Sequence, residues 1–213
     1  MQDVISENAP RPPQQKRSRA AMERILQAAQ TLIAERGTSG LTLADVAERA
    51  GVSVGSIYSR FSGKEALIAA TQEQWLGHVT AYQRTLYADA AARSDDFEDF
   101  VTSHLTAMTA AFRRDADLIR EFAVRAIGQS GTSDTARRRL QDAFDQACDA
   151  ILAHPGRPPY VSRVRVSLAL RAVQATLEWR VTTPTADAPD NDWDLLAAEL
   201  PNLALSYLRK APS

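Results

Sequence analysis

In the first third of the chain, apolar residues return every three or four positions in short bursts, separated by glycines and hydroxyl residues. That rhythm predicts short amphipathic helices. Ile25, Ala28, Ala29, Leu32 and Ile33 form one stripe and predict a helix over 18–36, with Gly37 and Gly40 marking its end. Leu43, Val46, Ala47 and Ala50 form a second stripe over 43–50. Thr42 stands before it as an N-cap, with Asp45 in the capping-box position. Gly51 follows where the chain must leave this helix, because glycine enters the left-handed region without steric cost. Ser53 then caps a third helix over 54–60, in which Ile57 and Phe61 lie four apart and face inward. Ser62-x-x-Glu65 reads as a capping box for a fourth helix over 63–90, with the stripe Leu67, Thr71, Trp75, His78, Tyr82 and Leu86.

The helical period continues to the C-terminal end. Helices are predicted over 95–114, 116–129, 133–154, 159–182 and 193–210, punctuated by Gly128, Gly131, the His154–Pro159 stretch and the Pro184–Pro189 stretch. The segment 159–182 is apolar on two sides. Val166, Leu170, Val173 and Leu177 make one stripe; Val161, Leu168, Ala172 and Trp179 make the other. A helix apolar on two sides must be covered on two sides, and one cover is expected to be a second subunit. Leu196, Leu200, Leu203 and Tyr207 give the last helix a similar stripe, which Pro201 should kink or restart. The expected dimer interface is therefore Val166, Leu170, Val173, Leu177, Leu196, Leu200, Leu203 and Tyr207. The fold class is all-α: an N-terminal three-helix helix-turn-helix domain over 18–64, then a larger helical bundle over 65–213.

Composition supports this class and adds a charge asymmetry. Of 213 residues, 45% are hydrophobic and 24% charged, an ordinary balance for a globular protein. The formal net charge is −1, but residues 11–64 hold nine Lys or Arg against four Asp or Glu, and the chain from Glu65 onward is acidic. A basic front end on an acidic body fits a phosphate-facing module joined to something with another task. Residues 1–17 are polar, contain Pro10, Pro12 and Pro13, and are expected to be disordered. Lys16, Arg17 and Arg19 would then form a basic arm able to reach a minor groove or a phosphate run. Cys148 is the single cysteine, so no internal disulfide can form, and no metal-ligand spacing or cofactor motif is present. No apolar run reaches transmembrane length, and residues 1–19 lack the apolar core of a secretory signal, so a cytoplasmic setting is expected.

The third helix carries the chemistry. With Ile57 and Phe61 inward, Val54, Gly55, Ser56, Tyr58, Ser59 and Arg60 point outward. Small residues, hydroxyls and one arginine can enter a major groove and meet base edges and phosphates. Lys64 would stand in the first turn of the next helix, where exposed N–H groups favour an anion.

The order Thr42-Leu43, Ala50-Gly51-Val52-Ser53, Gly55-Ser56-Ile57-Tyr58, Phe61 and Gly63-Lys64-Glu65-Ala66-Leu67 resembles the DNA-binding segment of the tetracycline-repressor (TetR) family of bacterial transcriptional regulators. Ser56 replaces a common threonine, Gly63 a common serine, and Arg60 stands where histidine or tyrosine is frequent. The resemblance covers 18–70. It implies nine helices, a ligand-binding body and a homodimer paired through its last two long helices. It also implies a palindromic double-stranded operator, with contacts from Thr42, Ser53, Val54, Gly55, Ser56, Tyr58, Ser59, Arg60 and Lys64; the basic arm adds Arg17 and Arg19 as candidates. Thr42, Tyr58 and Lys64 would mainly hold phosphates. Beyond residue 70 such proteins share little sequence, so the effector, a small molecule, is not implied. Candidate ligand contacts are Trp75, His78, Tyr82, His104, Met108, Phe112, Phe122 and Arg125, all of which also fit plain packing roles. The expectation is a ligand-responsive repressor that is not an enzyme and needs no cofactor. A ligand-independent regulator or activator, or an α-helical enzyme, are the alternatives, though the chain has no nucleophile elbow or phosphate loop.

Overall fold

The computed structural model describes residues 13–94, 96–128, 134–183 and 192–210. They fold into α1 (Pro13–Arg36), α2 (Leu43–Ala50), α3 (Val54–Tyr58), α4 (Lys64–Arg93), α5 (Phe97–Arg114), α6 (Ala116–Gly128), α7 (Asp134–Ala153), α8 (Arg163–Thr182) and α9 (Trp193–Arg209). No strand occurs among the described residues. The tail before residue 13, Gly131, the Pro184–Pro189 stretch and the side chain of Leu86 lie outside what is described. The chain divides into two compact units, Met1–Thr71 and Gln72–Ser213.

In the first unit α1 packs on α2, and α2 on α3. Ile25, Leu32, Ile33, Leu41, Val46, Ile57 and Phe61 close a dry centre, joined by Leu67 and Ile68 of α4. Local chemistry fixes the joints. Thr42 has extended backbone angles and its Oγ1 accepts from the Asp45 N–H at 3.1 Å. Gly51 takes φ 63, ψ 43, and its N–H closes onto Ala47 and Glu48 carbonyls. Arg24 reaches from α1 to donate Nε–H to the Ala50 carbonyl at 3.1 Å, satisfying the C-terminus of α2. Two starts differ from expectation. Helix α1 begins at Pro13 rather than residue 18, because proline suits the first helical position and the following Gln, Lys and Arg are good helix formers. Helix α4 takes Gly63 as its N-cap, since the Leu67 N–H donates to the Gly63 carbonyl at 3.1 Å; Ser62 lies one residue outside the capping-box position assigned to it.

In the second unit α8 is the central element, packed against α5, α6, α7 and α9. It begins at Arg163, not residue 159. Before it the chain turns, with Val161 N–H donating to Pro158 O at 3.0 Å and Arg157 bonding Leu152 and Val161 carbonyls. Helix α9 runs unbroken through a buried Pro201. His154 ties the α7–α8 turn to the segment before α5. The Gly156 N–H donates to Nδ1 at 3.2 Å, so Nε2 carries the proton and donates to the Ser94 carbonyl at 3.1 Å. Its ring stacks on Phe100 with centroids 4.9 Å apart. Cys148 is buried in the same core, and that burial pushes its thiol pKa up.

Candidate nucleic-acid interface

Helix α3 is five residues long and held by one buried side chain, Ile57. So short a helix gains little from propagation and depends on caps. Ser53 supplies one: its Oγ accepts from the Ser56 N–H at 3.2 Å. The opposite face is outward. Tyr58 is 60% exposed and Val54 39%, while Ser53, Gly55 and Ser59 are also exposed.

Much of the polar chemistry of this face is turned on the helix itself. Ser53 Oγ and Ser56 Oγ lie 3.0 Å apart, and Ser59 Oγ donates to the Ser56 carbonyl at 3.0 Å. Arg60 folds back, its Nη1 donating to Ser56 O at 2.6 Å and Ser59 Oγ at 3.3 Å. A guanidinium so placed satisfies the end of α3 and would have to swing out to reach a base. Lys64 opens α4 as expected, yet its Nζ donates to the Ser39 carbonyl at 2.8 Å, joining the α1–α2 turn to α4. Two of an ammonium's three donors remain for an anion. Thr42 caps by accepting, so its hydroxyl proton is still available to donate. Lys16, Arg17 and Arg19 are exposed on the first turns of α1 rather than on an extended arm, with Arg19 Nε 3.3 Å from Glu23.

The candidate ligand contacts lie on α4, α5 and α6. Trp75 and Phe122 meet with centroids 5.4 Å apart. The Trp75 indole N–H donates to Asp115 Oδ2 at 3.3 Å, and Arg114 grips the same carboxylate at 2.9 and 2.8 Å while its guanidinium covers the Tyr82 ring at 5.0 Å. These residues link α4 to the α5–α6 corner. His104 is buried beside Phe100, with centroids 6.4 Å apart. Burial alone pushes its pKa down to about 4, so the ring is neutral at physiological pH. Met108 and Phe112 pack against the α5–α9 core. His78 is exposed and Arg125 partly so.

Six of the eight expected interface residues face inward. Val166, Leu170, Val173, Leu177, Leu196 and Leu200 belong to the chain's own core, so a partner subunit has no access to them. Leu203 and Tyr207 remain outward. Of the other stripe, Val161 precedes α8 and is buried, while Leu168 (53% exposed), Ala172 and Trp179 (49%) are left bare together with Val164. On α9 the exposed large apolar residues are Leu195, Leu203 and Tyr207, the last with the Arg165 guanidinium over its ring at 4.6 Å. The alternation of the two α8 stripes was visible in the sequence; which one turns inward was decided by α5, α6, α7 and α9, a long-range fact.

Residues 25–71 match the family described as bacterial regulatory proteins, tetR family, the segment that holds α2, α3 and the start of α4. Over this segment the chain is similar to TetR-family regulators. The HTH-type transcriptional repressor KstR2 of Rhodococcus jostii is 31% identical over 87 residues, 41% of this chain and 43% of that one. The chain spans between 33% and 43% of the length of the curated relatives it matches. The likeness of fold extends over most of the chain. A protein from Mesorhizobium loti described as a TetR-family transcriptional regulator superposes with TM-score 0.72 at 15% identity, covering 91% of this chain and 97% of that one. The regulator FadR from Bacillus subtilis, solved in complex with stearoyl-CoA, superposes with TM-score 0.58 at 20% identity, covering 90% and 99%.

Proposed function

We propose that this chain is a DNA-binding transcriptional repressor that acts as a homodimer in the cytoplasm and leaves its operator when a small molecule binds. Residues 18–64 read the duplex; 65–213 bind the effector and pair the subunits. The observation that carries the DNA reading is the capped, outward α3, with Val54 and Tyr58 exposed on a head whose own core is closed by Ile57 and Phe61. The bare apolar face of Leu168, Trp179 and Leu203 supports pairing, because exposed large apolar patches mark contact surfaces. Two reader helices related by a two-fold axis would fit major grooves about 34–36 Å apart. An effector that favours another spacing must, by linkage, bind the DNA-free protein more tightly than the bound one.

The test is selection of duplexes from a randomised library, followed by binding at several salt concentrations. Affinity should fall steeply with salt, and Tyr58→Ala with Lys64→Ala should abolish the complex. A complex unaffected by both substitutions refutes the assignment of the surface. Thermal shifts over a metabolite panel that includes acyl-CoA thioesters then separate an effector-responsive repressor from a ligand-independent regulator, which would show none.

A further inference from the structure

Gly55 is a glycine that the fold does not require. It lies inside α3, and its φ is not in the left-handed region. A Cβ built on it would meet nothing nearer than Ser53 Oγ at 3.9 Å, ordinary van der Waals contact. Gly51 differs, with its positive φ, and so does Gly40, where a Cβ would meet the Arg36 carbonyl oxygen at 2.6 Å. Neither the backbone conformation nor the packing at this first-turn position requires glycine, so the head has no internal reason for it. Glycine of that kind marks a place where something outside approaches the backbone closely.

The surroundings say what approaches. Residues 54, 55 and 58 share one face of α3, so the bare backbone is bordered by the exposed Val54 methyls and the exposed Tyr58 ring. The hydroxyls of Ser53, Ser56 and Ser59 and the Arg60 guanidinium are bonded to one another or to α3 carbonyls. What is left beside Gly55 is open space wide enough for a methyl group, edged by Val54, Tyr58 and, 3.9 Å from the missing Cβ, the Ser53 hydroxyl oxygen. Among the base edges of a major groove, thymine alone presents a methyl.

We propose that Gly55 is a specificity-determining position, its missing side chain forming a steric notch for the C5-methyl of a thymine. The proposal rests on the DNA-binding reading above and names the base chemistry that α3 selects.

The experiment uses the full chain and the duplex that the wild type enriches from a randomised library. Gly55→Ala should melt at the same temperature or higher and bind that duplex about tenfold more weakly or worse, the scale of one lost base contact. Replacing the contacted thymine by deoxyuridine should weaken the wild type and narrow its advantage over Gly55→Ala severalfold, because the vacated methyl site makes room for the new Cβ. Wild-type affinity in Gly55→Ala overturns the proposal. So does a loss that no thymine-to-deoxyuridine exchange reduces, and so does a lower melting temperature, which would mean that the fold itself needs the glycine. A wild type that enriches no duplex would sink the DNA reading together with this one; a wild type that binds while Gly55→Ala binds equally well sinks this one alone.

Discussion

Replacing His104 with leucine should flatten the acid side of the protein's stability curve. The imidazole lies beside Phe100 in the body core, and burial pushes its pKa down to about 4. In the unfolded chain the same group titrates near its ordinary value of 6.5. Above that value the ring is neutral in both states and contributes nothing to pH dependence. As pH falls below it, the unfolded chain takes up a proton that the folded chain refuses, so stability falls with falling pH and levels off below about pH 4. The loss amounts to about 2 kcal/mol at pH 5, with a ceiling of about 3.4 kcal/mol set by the width of the window. Glu35, Glu98 and Asp145, held below the usual carboxylate range chiefly by hydrogen bonds from Arg49, Arg209 and Gln141 respectively, lose their contribution only as pH falls through that lower range. Urea denaturation at pH 7 and pH 5 therefore isolates the histidine. The wild type should lose about 2 kcal/mol across this interval that His104→Leu retains. Equal slopes in the two proteins would mean that His104 is protonated in the folded state, and the burial argument would fail.

Other positions give independent checks. Gly51→Ala places a Cβ at φ 63 with no atom within 4 Å, so backbone conformation alone should cost about 1–2 kcal/mol in thermal denaturation; an unchanged melting temperature would show that the turn relaxes. Thr42→Ala removes the hydroxyl that accepts from the Asp45 N–H and should cost about 1 kcal/mol by the same measurement. The two stripes of α8 should behave oppositely. Leu168→Glu with Leu203→Glu should leave a folded monomer in sedimentation velocity, whereas Leu177→Ala, buried in the core, should cost about 2–5 kcal/mol of stability without dissociating subunits. The reverse pattern would refute the assignment of faces.

Legibility in the sequence followed the range of the physics. Thr42, Gly51 and Ser53 were readable because capping and left-handed turns are decided within four residues, and α2 spans 43–50 as expected. Helix boundaries failed where two local rules competed. The polar residues after Pro13 suggested disorder, but their helix propensity prevailed; Ser62 had the side chain of an N-cap, yet Gly63 took the position. Everything that depended on distant neighbours stayed hidden. Periodicity showed two apolar stripes on α8 and could not say which one would meet α5, α6, α7 and α9. It placed Trp75 on a stripe, but its pairing with Phe122 and Asp115 spans some forty residues of chain. The self-engagement of Arg60 was also unforeseen, since a lone arginine on an outward helix reads as free to contact DNA.

Cys148 is sealed in the body core with its thiolate disfavoured, which makes the native chain a silent background for thiol labelling. A single exposed substitution on α2, Glu48→Cys, would accept one nitroxide per chain, and in the homodimer proposed above pulsed electron resonance would then report the separation of the two α2 helices directly, with and without duplex.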